Sequence, residues 1–301
     1  MKRLVFKLGA ALEDTFFHRQ GPLNLAIFRI LLYFYVFQAL RSVSTQFENF
    51  SGVREPVGIY HLLPLLPDQT LGVLRVVALV ACAACLCGLA FRPASATVAL
   101  LAPYLIGLPN NYGKVNHSRA LLVIATVILA FSHADHALSL QRLLKKGAKS
   151  VAKSAEYRWP LAVVWLSVGL LYTAGGYSKI TLSGIEWALS DNLRNLLVSY
   201  HFHHSPPTSL GLWLSDFPVL CKALAAGALL LELGCLLLLL GPPLRLLVGA
   251  SLAALQLGIY LLMGIHFTAM IPLYACFVPW DQLLHLLRSG GRRLARRPTT
   301  G

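Results

Sequence analysis

Long apolar runs separated by short polar segments dominate the pattern of this chain. A run of about 20 apolar residues can cross the hydrocarbon core of a bilayer as one α-helix. The alternation of apolar and polar positions typical of a transmembrane barrel is absent. The pattern therefore predicts an all-α polytopic membrane protein with about eight transmembrane helices. The predicted spans are 22–44, 71–91, 94–109, 119–134, 160–180, 222–241, 244–264 and 266–280.

Two polar segments carry apolar residues at helical spacing, and we expect both to lie as amphipathic helices on the membrane surface. They are residues 1–21 and a stretch near 138–155. Glu13 and Asp14 interrupt the first segment and no small-residue cleavage site follows, so it is not predicted to be a signal peptide. The predicted organisation is an interfacial helix, a transmembrane domain at 22–280 and a basic cytoplasmic tail at 281–301.

Composition and charge agree with a membrane protein. The chain is 56% hydrophobic and 13% charged, whereas soluble domains carry about 25% charged residues. Lys and Arg concentrate in the segments on one side of the predicted spans, which places both termini in the cytoplasm. The net charge of +14 then reflects topology and contact with anionic membrane lipids, and no nucleic-acid partner is expected. The Leu-, Ala- and Arg-rich usage favours a bacterial inner membrane.

Polar residues near the predicted outer ends of the helices form the candidate site, because ionisable groups inside a membrane are costly and often functional. Lys179 closes the stretch YTAGGYSKI, which also holds Tyr172 and Tyr177. The loop at 109–119 contributes Asn116 and His117 to the same predicted side.

Lys179 and Glu232 each leave alternatives open. A lysine at a helix end can simply extend to water, or it can be a base in a dry pocket. The glycines at 175–176 favour a packed cleft, because they let another backbone approach. Glu232 lies in the middle of a predicted span and would pair with Lys179, with Arg29 or with Arg75.

A metal site is the weaker explanation of the histidines and cysteines. The HFHH motif at 201–204 could bind a metal, but such histidines at an aromatic interface are more often interfacial. The cysteines at 82–87 lack the second pair that a zinc or iron–sulfur site requires. No metal cofactor is therefore expected.

Four motifs carry a family resemblance: LNLAIFRILL, NNYGKVNHSRALLVIATVILAFSHADHALSL, YTAGGYSKI followed by GIEW, and LELGCLLLLLGPPLRLL. In this order and spacing, over about residues 22–280, the chain resembles the HTTM superfamily. That family shares its membrane domain with the vitamin K-dependent gamma-glutamyl carboxylases. The most specific pieces are NHS at 116–118 and the Tyr-x-Ala-Gly stretch at 172–180 that leads to Lys179.

The resemblance implies a chemistry for two residues. Lys179 matches the lysine that deprotonates reduced vitamin K, and His117 matches a histidine implicated in carboxylation. In that family the quinol reacts with O2 to give an epoxide, while a glutamate carbanion captures CO2. Desolvation in an apolar pocket favours the neutral amine that a base requires. We therefore expect Lys179 to be largely buried, with His117 in the same cavity.

The chain also departs from the carboxylase pattern. Gln256 stands where carboxylases place a histidine in the late helix, and His266 lies a turn or more away. Only about twenty cytoplasmic residues follow the last predicted span, where carboxylases carry a large lumenal domain that holds their substrates. Processive carboxylation is therefore doubtful, and quinol activation is the better expectation. The predicted substrate- or quinol-binding residues are Asn116, Tyr172, Gly176, Tyr177, Glu232, Gln256 and His266.

The sequence thus favours a carboxylase-like lyase or quinol epoxidase in the membrane. Its expected cofactors are reduced vitamin K or a related quinol, O2 and CO2, and a peptide or protein substrate would meet the outer face. The alternative is a non-enzymatic membrane protein that binds a lipid or quinone, or acts in peptide maturation or immunity. That alternative predicts that Lys179→Ala keeps function, while changes around 186–216 remove it.

Overall fold

The computed structural model of the chain describes residues 2–47, 53–112, 117–145, 151–203 and 208–294. Within these residues the structure is helical and has no strand, which confirms the predicted all-α class. The α-helices are α1 (Lys2–Phe17), α2 (Leu23–Ser42), α3 (Asp68–Cys87), α4 (Phe91–Gly107), α5 (Ala120–Ala130), α6 (Leu140–Leu144), α7 (Trp159–Ser183), α8 (Glu186–Leu189), α9 (Asn192–His203), α10 (Ser209–Ser215), α11 (Pro218–Leu233), α12 (Pro242–Met263), α13 (Ile271–Ala275) and α14 (Trp280–Leu294). Short 3₁₀ helices are Gly58–His61, Leu108–Asn111, His117–Arg119, Ala134–His136, Ala155–Tyr157, Cys235–Leu240 and Thr268–Met270.

The described residues contain 5 helices long and apolar enough to cross a membrane. The bent pair α10 and α11, which meet at 107°, would make a sixth if they form one span. The predicted count of eight is therefore not confirmed. Apolar composition alone does not distinguish a span from a shorter helix with apolar turns, and α5 and α13 are 11 and 5 residues long. The spanning candidates are Leu23–Ser42, Asp68–Cys87, Phe91–Asn111, Ala155–Ser183 and Pro242–Met263.

The chain divides into two compact units, one made of Met1–Phe16 with Ala162–Phe277 and the other of Phe17–Leu161 with Val278–Gly301. In the second unit α2 packs against α3 and α5, and α3 packs against α4. The start of α14 is tied to α2, because the Asn24 amide donates to the Asp281 carboxylate at 3.1 Å and accepts from the Asp281 backbone N–H at 3.0 Å.

A fully buried arginine holds the turn after α5 in this second unit. The Arg29 guanidinium donates to the carbonyl oxygens of Ala134 at 2.9 Å, Ala137 at 3.3 Å and Leu138 at 2.5 Å. Ala134 begins a short 3₁₀ helix and the other two residues follow it, so these carbonyls are not paired within a regular α-helix and need other donors. Arg29 therefore satisfies backbone groups that the turn itself cannot pair.

Gly88 makes room for this arrangement at the end of α3. Its φ is 67°, a conformation that a side chain disfavours. A Cβ at this position would lie 2.6 Å from Ser139 Cβ and 3.0 Å from Arg29 Nη1. The glycine thus allows the turn after α5 to pack directly against the end of α3.

The first unit has its apolar core where α9 and α10 pack on α12. A Cβ at Gly211 would lie 2.1 Å from the Leu262 carbonyl oxygen, so α10 crosses α12 at backbone contact. Thr208 reinforces the crossing by donating its hydroxyl to the same oxygen at 2.7 Å. The buried side chains of this cluster are Leu197, Leu214, Cys221 and Met263.

We expect Gly88→Ala to lower the thermal stability of the detergent-solubilised protein. The positive φ alone costs about 1–2 kcal/mol for a residue with a Cβ, and the contact with Ser139 adds to it. Gly72→Ala, in the same helix α3, is the matched control because nothing lies within 4 Å of a Cβ there. Its melting temperature should stay equal or rise, since Ala is the better helix former. Equal melting temperatures for the two variants would contradict the packing described at Gly88.

Candidate functional site

An ion pair between α7 and α11 forms the centre of the candidate site. The Lys179 Nζ lies 2.6 Å from each carboxylate oxygen of Glu232. The same amine lies 4.4 Å from the centre of the Trp187 ring, within the range of a cation–π contact. The side chains of Lys179 and Glu232 are 29% and 11% exposed. Lys179 is thus folded against protein groups and partly buried, rather than extended to water.

Close packing between α7 and α11 brings the two charges together. A Cβ at Gly176 would lie 3.0 Å from Glu232 Cβ and 3.1 Å from the Leu233 backbone N. One turn earlier, the Thr173 hydroxyl donates to the Glu232 carbonyl oxygen at 3.3 Å. The small residue on α7 therefore allows the end of α11 to approach within reach of Lys179.

A second polar group lies on the same face of α7, two helical turns before Lys179. The Gln256 amide nitrogen on α12 donates to the Tyr172 hydroxyl at 2.7 Å. The Tyr172 hydroxyl also lies 2.5 Å from the Tyr274 hydroxyl on α13. Residues seven apart share a helical face and are separated by about 10 Å along the axis. The ion pair and this hydrogen-bonded group therefore line one side of α7.

The structure brings together five of the residues predicted from sequence: Lys179, Glu232, Gly176, Tyr172 and Gln256. Glu232 pairs with Lys179 and with neither Arg29 nor Arg75. Those arginines donate to backbone carbonyls in the other unit.

Two of the other predicted residues, Tyr177 and His266, are not part of this arrangement. The Tyr177 side chain is 65% exposed, and the exposed His266 ring lies 4.6 Å from the Tyr260 ring. Asn116 lies outside the described residues. His117 begins a short 3₁₀ helix, and its side chain also lies outside the description, so the cavity shared by His117 and Lys179 stays a prediction.

Sequence reasoning missed the contributions of Trp187 and Tyr274. Trp187 follows Lys179 across a turn at Gly184, whose φ is 61°, and helical periodicity does not extend through such a turn. Tyr274 was hidden within an apolar stretch that was predicted to be a complete span. The only sequence signal for Tyr274 is its position two residues after Pro272 in an otherwise apolar run.

The HFHH histidines bond to the backbone where they are described. His201 Nδ1 lies 3.2 Å from the Thr208 carbonyl oxygen, and His203 Nδ1 lies 2.9 Å from that of Ser199. His204 is outside the described residues. Within the described ranges, no group of three or more His, Cys, Asp or Glu side chains could hold a metal ion.

The arrangement combines an ion pair with a set of hydrogen-bonding groups. An ammonium against a carboxylate can exchange a proton without a change in the total charge of the pair. The phenols and the amide can orient a ligand by hydrogen bonds, and the surrounding helices are apolar. Such a site suits a hydrophobic substrate from which one proton is removed.

A family model described as the HTTM domain matches residues 17–278 of the chain. HTTM domains are found in vitamin K-dependent carboxylase-like membrane proteins. No curated protein and no solved structure matches the chain.

The neighbouring glycines of α7 offer a direct test of the helix contact. Gly176→Leu should separate α7 from α11 and lower the melting temperature, because its side chain would meet Glu232 and Leu233. Gly175→Leu is the matched control, since nothing lies within 4 Å of a Cβ there. It should melt at or above the wild-type temperature, as Leu favours helix over Gly by roughly 1 kcal/mol. A Gly176→Leu protein as stable as Gly175→Leu would show that the two helices do not meet at this residue.

Proposed function

The chain belongs to the HTTM family, and from this premise we propose that it is an integral membrane enzyme that activates a quinol with the Lys179–Glu232 pair. The observation that carries the proposal is the position of the Lys179 amine. It is held between a carboxylate at 2.6 Å and the Trp187 ring, on the face of α7 that also carries Tyr172. Ionisable residues on helices long enough to cross a membrane are rare and often functional.

The geometry supports the pair, rather than the lysine alone, as the proton acceptor. An amine that already carries its proton cannot accept another. Lys179 can pass a proton to a Glu232 oxygen and take one from a substrate hydroxyl, which leaves the proton on Glu232 and the ammonium beside the substrate oxygen. A positive charge kept at that point stabilises negative charge as it develops on the substrate.

A reduced quinol such as reduced vitamin K would suit these residues. Its hydroxyls match the phenols of Tyr172 and Tyr274 and the amide of Gln256, and its ring and tail match apolar helix surfaces. When bound, the quinol supplies the reaction with O2, which the family resemblance couples to CO2 capture by a glutamate. The protein would hold the ring, exclude water and move the proton from the hydroxyl to Glu232.

A second candidate function is non-enzymatic binding of a lipid or a partner peptide. Large apolar side chains are exposed along the segment that follows the site, including Leu182 at 82%, Phe202 at 70% and Trp213 at 56%. Exposed apolar surface of this kind suits contact with lipid or with another protein. In that case the ion pair would serve to hold α7 and α11 together.

Quinol epoxidation in nanodiscs separates the two functions. The protein is supplied with reduced vitamin K, O2 and bicarbonate, and epoxide is followed by mass spectrometry. We expect Lys179→Ala to lower epoxide formation by at least about 100-fold, the usual contribution of a general base. Lys222→Ala is the matched control, because Lys222 also pairs with a carboxylate, Asp191 at 3.4 Å, at a more exposed position. No epoxide from folded wild-type protein would reject the enzymatic proposal and favour partner binding.

Glu232→Gln tests the role of the carboxylate. The amide keeps the shape of the side chain but cannot accept the proton, so epoxide formation should fall by a factor similar to that of Lys179→Ala. A single substitution also leaves one charge without its partner, which destabilises a buried pair. The double variant Lys179→Met with Glu232→Gln removes both charges and should melt closer to wild type while remaining inactive. Wild-type activity in Glu232→Gln would assign the proton to a different acceptor.

A further inference from the structure

The amide of Gln256 is only half used by the protein. Its nitrogen donates to the Tyr172 hydroxyl at 2.7 Å, whereas its oxygen Oε1 is buried and has no hydrogen-bond partner among the described residues. A buried acceptor without a donor typically costs about 1–3 kcal/mol, and such groups in native proteins call for an explanation. Gln256 Oε1 is thus a buried acceptor beside α7 to which no described residue donates.

The neighbouring side chains do not fill it. The hydroxyls of Tyr172 and Tyr274 lie 2.5 Å apart and engage each other, and the Tyr172 oxygen already receives the Gln256 amide proton. Other buried side-chain atoms without a hydrogen bond in the described residues, such as Arg29 Nε and the Tyr33 hydroxyl, can each donate. Gln256 Oε1 is distinct among them because it can only accept.

We propose that Gln256 Oε1 accepts a hydrogen bond from a hydroxyl of the substrate and thereby selects the reduced quinol over the oxidised quinone. This inference rests on the proposed function. A quinol carries hydroxyls on opposite sides of its ring, so one can meet the amide while the other faces the Lys179–Glu232 pair. Side chains on a helix lean toward its N-terminus, which directs the Lys179 amine toward the Tyr172 end of α7.

The selection between quinol and quinone depends on the hydrogen atom that the quinol oxygen carries and the quinone oxygen lacks. A hydroxyl donates to an amide oxygen, but a quinone carbonyl has no hydrogen and would place its lone pairs against those of Oε1. The epoxide product also carries carbonyls in place of hydroxyls. The same oxygen therefore holds the substrate before proton transfer and favours release of the product afterwards.

The role of Gln256 Oε1 is tested by measuring, without turnover, the anaerobic binding of both redox forms to the full chain in nanodiscs. Vitamin K hydroquinone and vitamin K quinone are each titrated, and binding is read from quenching of tryptophan fluorescence. Wild-type protein should bind the hydroquinone about tenfold more tightly than the quinone, the value of one hydrogen bond to a buried acceptor. Gln256→Leu should bring the ratio close to one, mainly by weakening hydroquinone binding. Gln282→Leu, at an exposed position of α14, is the control and should keep the wild-type ratio.

A change in the ligand provides a second test that does not depend on the folding of a variant. Hydroquinone dimethyl ether keeps the ring and its oxygens but has no hydroxyl to donate, so wild-type protein should bind it as weakly as the quinone. Gln256→Glu keeps an oxygen acceptor at the position and should retain more of the hydroquinone preference than Gln256→Leu. Equal binding of hydroquinone and ether, or tighter binding of the quinone, would overturn the assignment of Oε1 as an acceptor.

The outcomes separate this inference from the proposed function. Epoxide formation with equal affinity for both redox forms would reject the inference and leave the enzymatic proposal standing. A tenfold preference without any epoxide would support the role of Gln256 and reject the enzymatic chemistry. Failure of wild-type protein to bind either form would reject both.

Discussion

A charged group inside a hydrocarbon layer has to find its counter-group within the protein, because the lipid offers none. Two side chains on helices that are candidates to span the membrane find such partners in different ways. Arg29 is fully buried and donates to three backbone carbonyls of one turn. Lys179 is paired with a carboxylate on the neighbouring helix. In each case the partner lies within hydrogen-bond distance, and this closeness constrains the path of the backbone on both sides of the contact.

Glycine is what allows such an approach. Gly176 places the end of α11 against α7, so that Glu232 reaches Lys179, and Gly88 brings the turn after α5 against α3 beside Arg29. A Cβ at either position would meet the backbone or side chain of the facing segment. Each buried charge thus depends on a nearby glycine for the close packing that pairs it. A larger residue at Gly176 or Gly88 would therefore displace the charged side chains, although the glycine itself is neither charged nor a candidate proton acceptor.

The same pairing is the basis of the reactivity that we propose for the candidate site. Inside a region of low dielectric, a separated charge is expensive, but a proton that moves between Lys179 and Glu232 leaves the sum of their charges unchanged. Trp187 covers the amine, and Tyr172 and Gln256 lie along the same face of α7. In the proposed function, this arrangement would place the proton acceptor among apolar helices while both charges keep a partner.

The apolar runs and the local motifs determined much of this by themselves. Helix class follows from hydrocarbon thickness and from backbone hydrogen bonding, and paired glycines beside a lone lysine predicted a close helix contact at α7, which the approach of α11 to Gly176 confirms. Tyr177 shows the limit of that reasoning, because adjacent residues point to different faces of a helix and Tyr177 is exposed. Only the tertiary structure decided which of three cations pairs with Glu232. It also decided that the Tyr274 hydroxyl meets that of Tyr172. Pairing depends on which helix faces meet in space, and a one-dimensional pattern of apolar residues carries no information on that choice.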